Sequence, residues 1–208
     1  MVDQLLEDYG DRFIPVFLHL GGEAGSGVAS SRATFYDLMY TPYMWFNGDG
    51  DGGYDADTWE EDLLEKMGHE TDVTLTVWAV PGESILMTIH TVACIEPGGE
   101  ERTLRIYMGQ VLDHFPDSPT YYRNAMRQLF HNDVTLVPGE CTEVEELTLL
   151  PPNDQERSDD VRFVAWAQEP LSRGPAEIFQ ATTGVMRRTI SPDDVNGENL
   201  VGNPPATD

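Results

Sequence analysis

VTLTVWAVPGESILMTIH, residues 73–90, is the stretch on which the fold class turns. Val73, Leu75 and Val77 alternate with Thr74, Thr76 and Trp78; Pro81-Gly82 then marks a turn, and Ile85, Met87 and Ile89 alternate again. A period of two sends successive side chains to opposite faces of a strand, so the stretch reads as two strands around a turn. Pro97-Gly98-Gly99 turns the chain once more before Leu104, Ile106 and Met108. Further alternation follows at Val134 and Leu136, at Leu147 and Leu149, and at Val161, Phe163 and Ala165. Short strands separated by turn signals at this spacing predict an antiparallel β-sandwich over residues 71–186.

Upstream the periodicity is different. Val2, Leu5, Leu6 and Tyr9 recur at helical spacing and Gly10 supplies a stop. FIPVFLHL, residues 13–20, is almost continuously apolar and reads as a strand buried on both faces. A glycine-rich link, GGEAGSG, leads to a helix that Ser30 or Ser31 can cap and that carries Phe35, Leu38 and Met39. Tyr43–Phe46 reads as a short strand. Asp57 and Glu60 form a capping-box pattern before a helix with Trp59, Leu63, Leu64 and Met67 on one face and Gly68 at its end.

The charge balance narrows the function classes. Asp and Glu number 37 against 12 Lys and Arg, a formal net charge of -25, and Lys66 is the one lysine. Such a chain repels phosphate backbones and anionic lipid, which argues against nucleic acid and bare membrane as partners. It suits solubility in high salt or an extracellular setting. No apolar run reaches the 18 residues of a membrane span. Met1 is followed by Val-Asp-Gln-Leu-Leu-Glu-Asp, without the basic start and apolar centre of a signal peptide, so the expectation is a chain that stays inside or has lost its beginning. Cys94 and Cys141 belong to no C-x-x-C pair; they are either one disulfide or two buried thiols.

Several motifs bear on chemistry. NGDGDGGYDADTWEEDL, residues 47–63, approaches a calcium loop, which needs oxygen ligands at positions one, three and five, Gly at six and Glu at twelve. Counting from Asn47 fits Asp49, Asp51 and Gly52 but puts Thr58 last; counting from Asp49 supplies Glu60 but misplaces Gly53 and Tyr54. The acids of the following helix are explained by its N-terminus, leaving a weak calcium set of Asn47, Asp49, Asp51, Asp55, Asp57 and Glu60. GGEAGSG has its glycines in the wrong order for a dinucleotide fingerprint and no lysine for a P-loop. Ser26 lies directly between Gly25 and Gly27, which is not a nucleophile elbow. His19, His69, His90, His114 and His131 show no paired metal spacing. Tyr121, Tyr122, Trp166 and Phe179 lack the basic groove that base stacking requires.

The order of pieces also resembles a known arrangement. FIPVFLHL, the loop, SSRATFYDLM and then YTPYMWFNGD resemble the later part of a thioredoxin-like domain, in which a Thr-Pro corner precedes a strand and a glycine turn. YYRNAMRQLF, VTLVPGE and DVRFVAWAQEPLSRGPAEIFQAT resemble the carboxy-terminal sandwich of bacterial envelope proteins related to the twenty-eight-kilodalton outer-membrane protein. The resemblance implies an α+β fold: a truncated thioredoxin-like α/β layer over 1–70 and the antiparallel β-sandwich over 71–186; residues 187–208, polar and punctuated by proline, read as a flexible acidic tail. It implies a peptide-binding corner at Thr41 and Pro42. The departure is the missing redox segment, since no cysteine precedes Cys94 and dithiol exchange needs two cooperating thiols.

The expectation is therefore a non-catalytic binding or structural protein of the bacterial envelope, periplasmic or secreted, with a protein or peptide partner and no cofactor apart from calcium. Two rivals stand beside it. One is a fragment of a thiol-disulfide oxidoreductase whose redox motif lies upstream of Met1. The other is a calcium-binding module built on residues 47–60.

Overall fold

The computed structural model describes residues 1–20, 27–38, 43–115, 122–150 and 158–187. Helix α1 (Val2–Tyr9) stops at Gly10, helix α2 is Gly27–Phe35, and strands β1 (Met44–Phe46) and β2 (Gly50–Gly53) form a hairpin ahead of helix α3 (Trp59–Met67). Seven longer strands follow: β3 (Val73–Pro81), β4 (Leu86–Ile95), β5 (Arg102–Leu112), β6 (Ala125–Leu136), β7 (Cys141–Leu149), β8 (Val161–Gln168) and β9 (Ile178–Gly184). They make two antiparallel sheets, ordered β3-β4-β7 and β6-β5-β8-β9.

The alternation in the sequence becomes the layer between these sheets. Val73, Val77 and Ala79 of β3 and Met87, Ile89, Ala93 and Ile95 of β4 meet Leu104, Ile106 and Met108 of β5 and Val161, Phe163 and Ala165 of β8 in one buried cluster. Each large aliphatic or aromatic side chain moved out of water there contributes roughly 1.5–3 kcal/mol. The core also holds a polar bridge: Gln128 Nε2 donates to Gln110 Oε1 at 2.8 Å, and Thr148 Oγ1 donates to Gln128 Oε1 at 2.8 Å. Gln110 is fully buried, so these bonds offset the loss of its water contacts.

Among the described residues, the thioredoxin-like layer expected over residues 1–70 is not formed, and the fold is mainly β, with three antiparallel sheets. Strand β1 pairs with β2 in a sheet of two strands. The Phe13–Leu20 run has a single bridge, Phe17 to Ala125, and so joins no central sheet of its own. Its apolar character has another cause. Ile14, Val16 and Leu18 pack on the outer side of the four-stranded sheet, against the cluster of Tyr107, Val111, Met126, Val164 and Trp166. Phe13 points instead into a second cluster with Leu5, Phe46, Trp59 and Leu63. A strap between two apolar layers needs apolar residues on both sides, which in sequence is indistinguishable from a central strand.

The expected capping box is also absent. Thr58 occupies the N-cap of α3 without a side-chain capping bond, and Glu60 Oε1 accepts instead from Tyr9 Oη at 2.8 Å. At the other end of the chain, β9 runs on past its own sheet. Ala79 N donates to Val185 O at 3.4 Å and Arg187 N donates to Ala79 O at 2.8 Å, so Gly184–Arg187 ties the second sheet to the outer edge of β3.

Candidate binding face on the three-stranded sheet

With the odd positions of β3 and β4 committed to the core, the even positions face outward, and the pairing register fixes their neighbours. Trp78 pairs with His90, and His90 with Glu145. One row away Val92 pairs with Glu143, and the next row is Cys94 with Cys141. In the other direction Leu86 pairs with Leu149. The face thus runs from a sulfur row, through a histidine and two glutamates, to leucines.

His90 is its centre. Nδ1 lies 3.0 Å from Glu143 Oε1 and 3.2 Å from Glu145 Oε1. His90 is 9% exposed, and its imidazole stacks on the Trp78 indole, with planes 2° apart and centroids 5.2 Å apart. Arg187 brings its guanidinium to 5.2 Å from the same indole. Leu147 and Leu149 are 63% and 51% exposed, so the alternation read in β7 is real but its leucines point to solvent. Val144 and Thr148 take the core side.

Cys94 and Cys141 form a disulfide across β4 and β7, with Cα atoms 4.1 Å apart, and these are the two cysteines of the chain. Among the described residues, the one group of three or more side chains with metal-donor atoms drawn together is His90, Glu143 and Glu145.

The residues singled out for calcium are placed differently. Asp49 Oδ1 meets Lys66 Nζ at 2.8 Å, Asp55 Oδ1 accepts from Asp57 N at 3.2 Å, and Glu60 is engaged by Tyr9. Asn47 takes a left-handed turn at φ 46° and its carbonyl accepts from Ile178 N at 2.6 Å. Asp51 lends its backbone to β2. Thr41 and Pro42, and the tail from 188 onward, lie outside the described residues.

A second polar cluster pins α2 to the other sheet. Arg32 is 7% exposed; its Nη1 donates to Tyr107 Oη at 3.0 Å, and its Nη2 donates to Tyr36 Oη at 2.9 Å and Gln168 Oε1 at 3.2 Å. The rings of Phe35, Tyr36 and Tyr107 lie 4.5, 4.8 and 4.8 Å from its guanidinium carbon. Their π-faces and the three oxygen dipoles offset the cost of burying the charge. Three of its five N–H donors are met by these internal acceptors, which makes the cluster a fastening.

No family model and no curated protein matches the chain. Among solved structures it is similar to HBP35 of Porphyromonas gingivalis, with a TM-score of 0.61 at 10% identity over 85% of this chain and 61% of that one. The chain therefore spans less than two thirds of that protein's length. A protein from Agrobacterium tumefaciens aligns with a TM-score of 0.45 at 15% identity, over 84% of this chain and 78% of that one. A β-glucosidase from Kluyveromyces marxianus aligns at 0.32 and 10% identity, over 54% of this chain and 14% of that one. The first likeness is one of fold alone.

Proposed function

We propose that the chain is a non-catalytic binding or structural protein of a bacterial envelope or secreted fraction, working through residues 71–186. The Cys94–Cys141 disulfide is the observation that carries this reading. Disulfides persist where the surroundings are oxidising, outside the cytosol, and this one fastens two neighbouring strands of a packed sheet. Both cysteine sulfurs of the chain are engaged in it. The exposed Leu147 and Leu149, with Leu86 at the far end of the same face, support a contact surface, because contiguous exposed apolar side chains suit association. The fold likeness to HBP35, from a bacterium, supports the bacterial part of the reading. Kinship with the envelope proteins related to the twenty-eight-kilodalton outer-membrane protein belongs to the same proposal, as does a protein or peptide partner. No helix among the described residues is long and apolar enough to cross a membrane.

An insulin-reduction assay with dithiothreitol, paired with thiol titration of the unfolded protein, tests this. The expected outcome is no free thiol and no turnover above the uncatalysed rate. Turnover that disappears on Cys94→Ala or Cys141→Ala would overturn the reading in favour of an oxidoreductase.

A further inference from the structure

We infer that His90, Glu143 and Glu145 bind one divalent transition-metal ion, zinc in the first instance. This deepens the reading of the chain as a binding protein and rests on it. One imidazole nitrogen and two carboxylate oxygens are a donor set for zinc and its neighbours, whereas calcium takes six to eight oxygens. The two nitrogen–oxygen separations fit as well. Ligands about 2.1 Å from a shared ion, at tetrahedral or octahedral angles, stand roughly 3.0–3.4 Å from one another. The imidazole nitrogen here stands 3.0 and 3.2 Å from its two oxygens, and all three donor atoms lie within 4.8 Å of one another.

The site is also held in advance of any ion. His90 is nine-tenths buried and stacked on Trp78, so its ring has little freedom to turn away. Its strand is fastened to that of the glutamates by the Cys94–Cys141 disulfide two rows along. Among the described residues neither Glu143 nor Glu145 meets a lysine or arginine; the two carboxylates converge on a single imidazole nitrogen. Two like charges at one imidazole nitrogen repel each other, and either a proton on Nδ1 or a shared cation relieves that repulsion. Their side chains are 47% and 59% exposed, which leaves an approach for the ion and room for water to complete its coordination. Binding replaces any proton on Nδ1 by the metal, with neutral imidazole as the ligand.

The test is calorimetric titration of the chelator-treated, disulfide-intact chain with zinc chloride, at about 0.5 M sodium chloride so that diffuse attraction to the acidic surface is screened. One ion per chain, with a Kd of about 10 µM or tighter, is expected. Glu143→Gln with Glu145→Gln, and separately His90→Gln, should each weaken it about tenfold or more, and cobalt(II) should show ligand-field bands in the parent that both variants lose. Calcium at about 5 mM should not displace the zinc. Variants that bind as the parent does, stoichiometry well above one, or no saturation by about 1 mM zinc would overturn the site. Should His90→Gln fail to fold, the glutamate pair, being exposed, decides the matter. A chain that binds zinc yet reduces insulin loses the non-catalytic reading and keeps the site; one that does neither loses the site alone.

Discussion

His131, on the solvent-facing side of β6, is one acid-sensitive residue. It stands on β6 with its ring 5.3 Å from that of Tyr107. Burial first, and then the neighbouring positive charge of Arg105, hold its imidazole below the ordinary value of 6.5. Asp133 shares the neighbourhood: Arg105 Nε and Nη2 donate to its two oxygens at 2.6 and 2.9 Å and keep its carboxyl below 3.8. Both shifts have the same sign in stability. The unfolded chain takes up protons more readily than the folded one, so the contribution of His131 is full above 6.5 and is lost as pH falls from there towards its folded value. That of Asp133 is full above 3.8 and fades below it. The urea midpoint should therefore decline between pH 7.5 and pH 5, and His131→Gln should make that decline shallower. A variant with the parent's slope would assign the acid sensitivity elsewhere.

At the scale of elements, the passage of β9 from one sheet to the edge of the other depends on Gly184. A Cβ there would overlap Val77 O and sit 2.7 Å from its carbonyl carbon, both backbone atoms. No rotamer change relieves that overlap, so β9 would have to move away from β3. Gly184→Val should destabilise the fold by more than about 2 kcal/mol in denaturant titration. A loss smaller than about 0.5 kcal/mol would show that the crossing is not needed. The strands themselves were legible because alternation is written into consecutive residues, as Val73 to Val77 and Met87 to Ile89 show. The strap at Phe13–Leu20 was not, since a segment caught between two apolar layers carries the same residues as a central strand. The His90 site escaped reading for a related reason. Its donors lie on two strands, and the i, i+2 pair Glu143 and Glu145 acquires meaning only when the register sets it opposite His90. The disulfide could be posed from two cysteines but not decided without that same register.

Over the whole molecule, the excess of negative charge governs how stability responds to salt. With 37 acidic against 12 basic side chains, repulsion among carboxylates opposes compaction, and the ion pairs Asp49–Lys66, Asp72–Arg102 and Asp113–Arg123 relieve it locally. Added salt shortens the reach of that repulsion from about 10 Å at 0.1 M to about 3 Å at 1 M. The net balance is negative, so screening removes more repulsion than attraction and the melting temperature should rise by several degrees between 0.1 and 1 M potassium chloride. A fall over that range, followed by differential scanning fluorimetry, would mean that the ion pairs outweigh the excess.

The two sheets are joined along their margins in unlike ways. On the β3 side the bonds come from main-chain amides and carbonyls of Ala79, Val185 and Arg187. On the β6–β7 side the Gln110, Gln128 and Thr148 side chains supply the clasp. Main-chain carbonyls accompany every amino acid and N–H donors every one except proline, whereas a clasp of side chains vanishes with one codon. Heritable loosening of this molecule thus needs a crowding change such as Gly184→Val, or a proline, along one seam, and only a shortened side chain along the other.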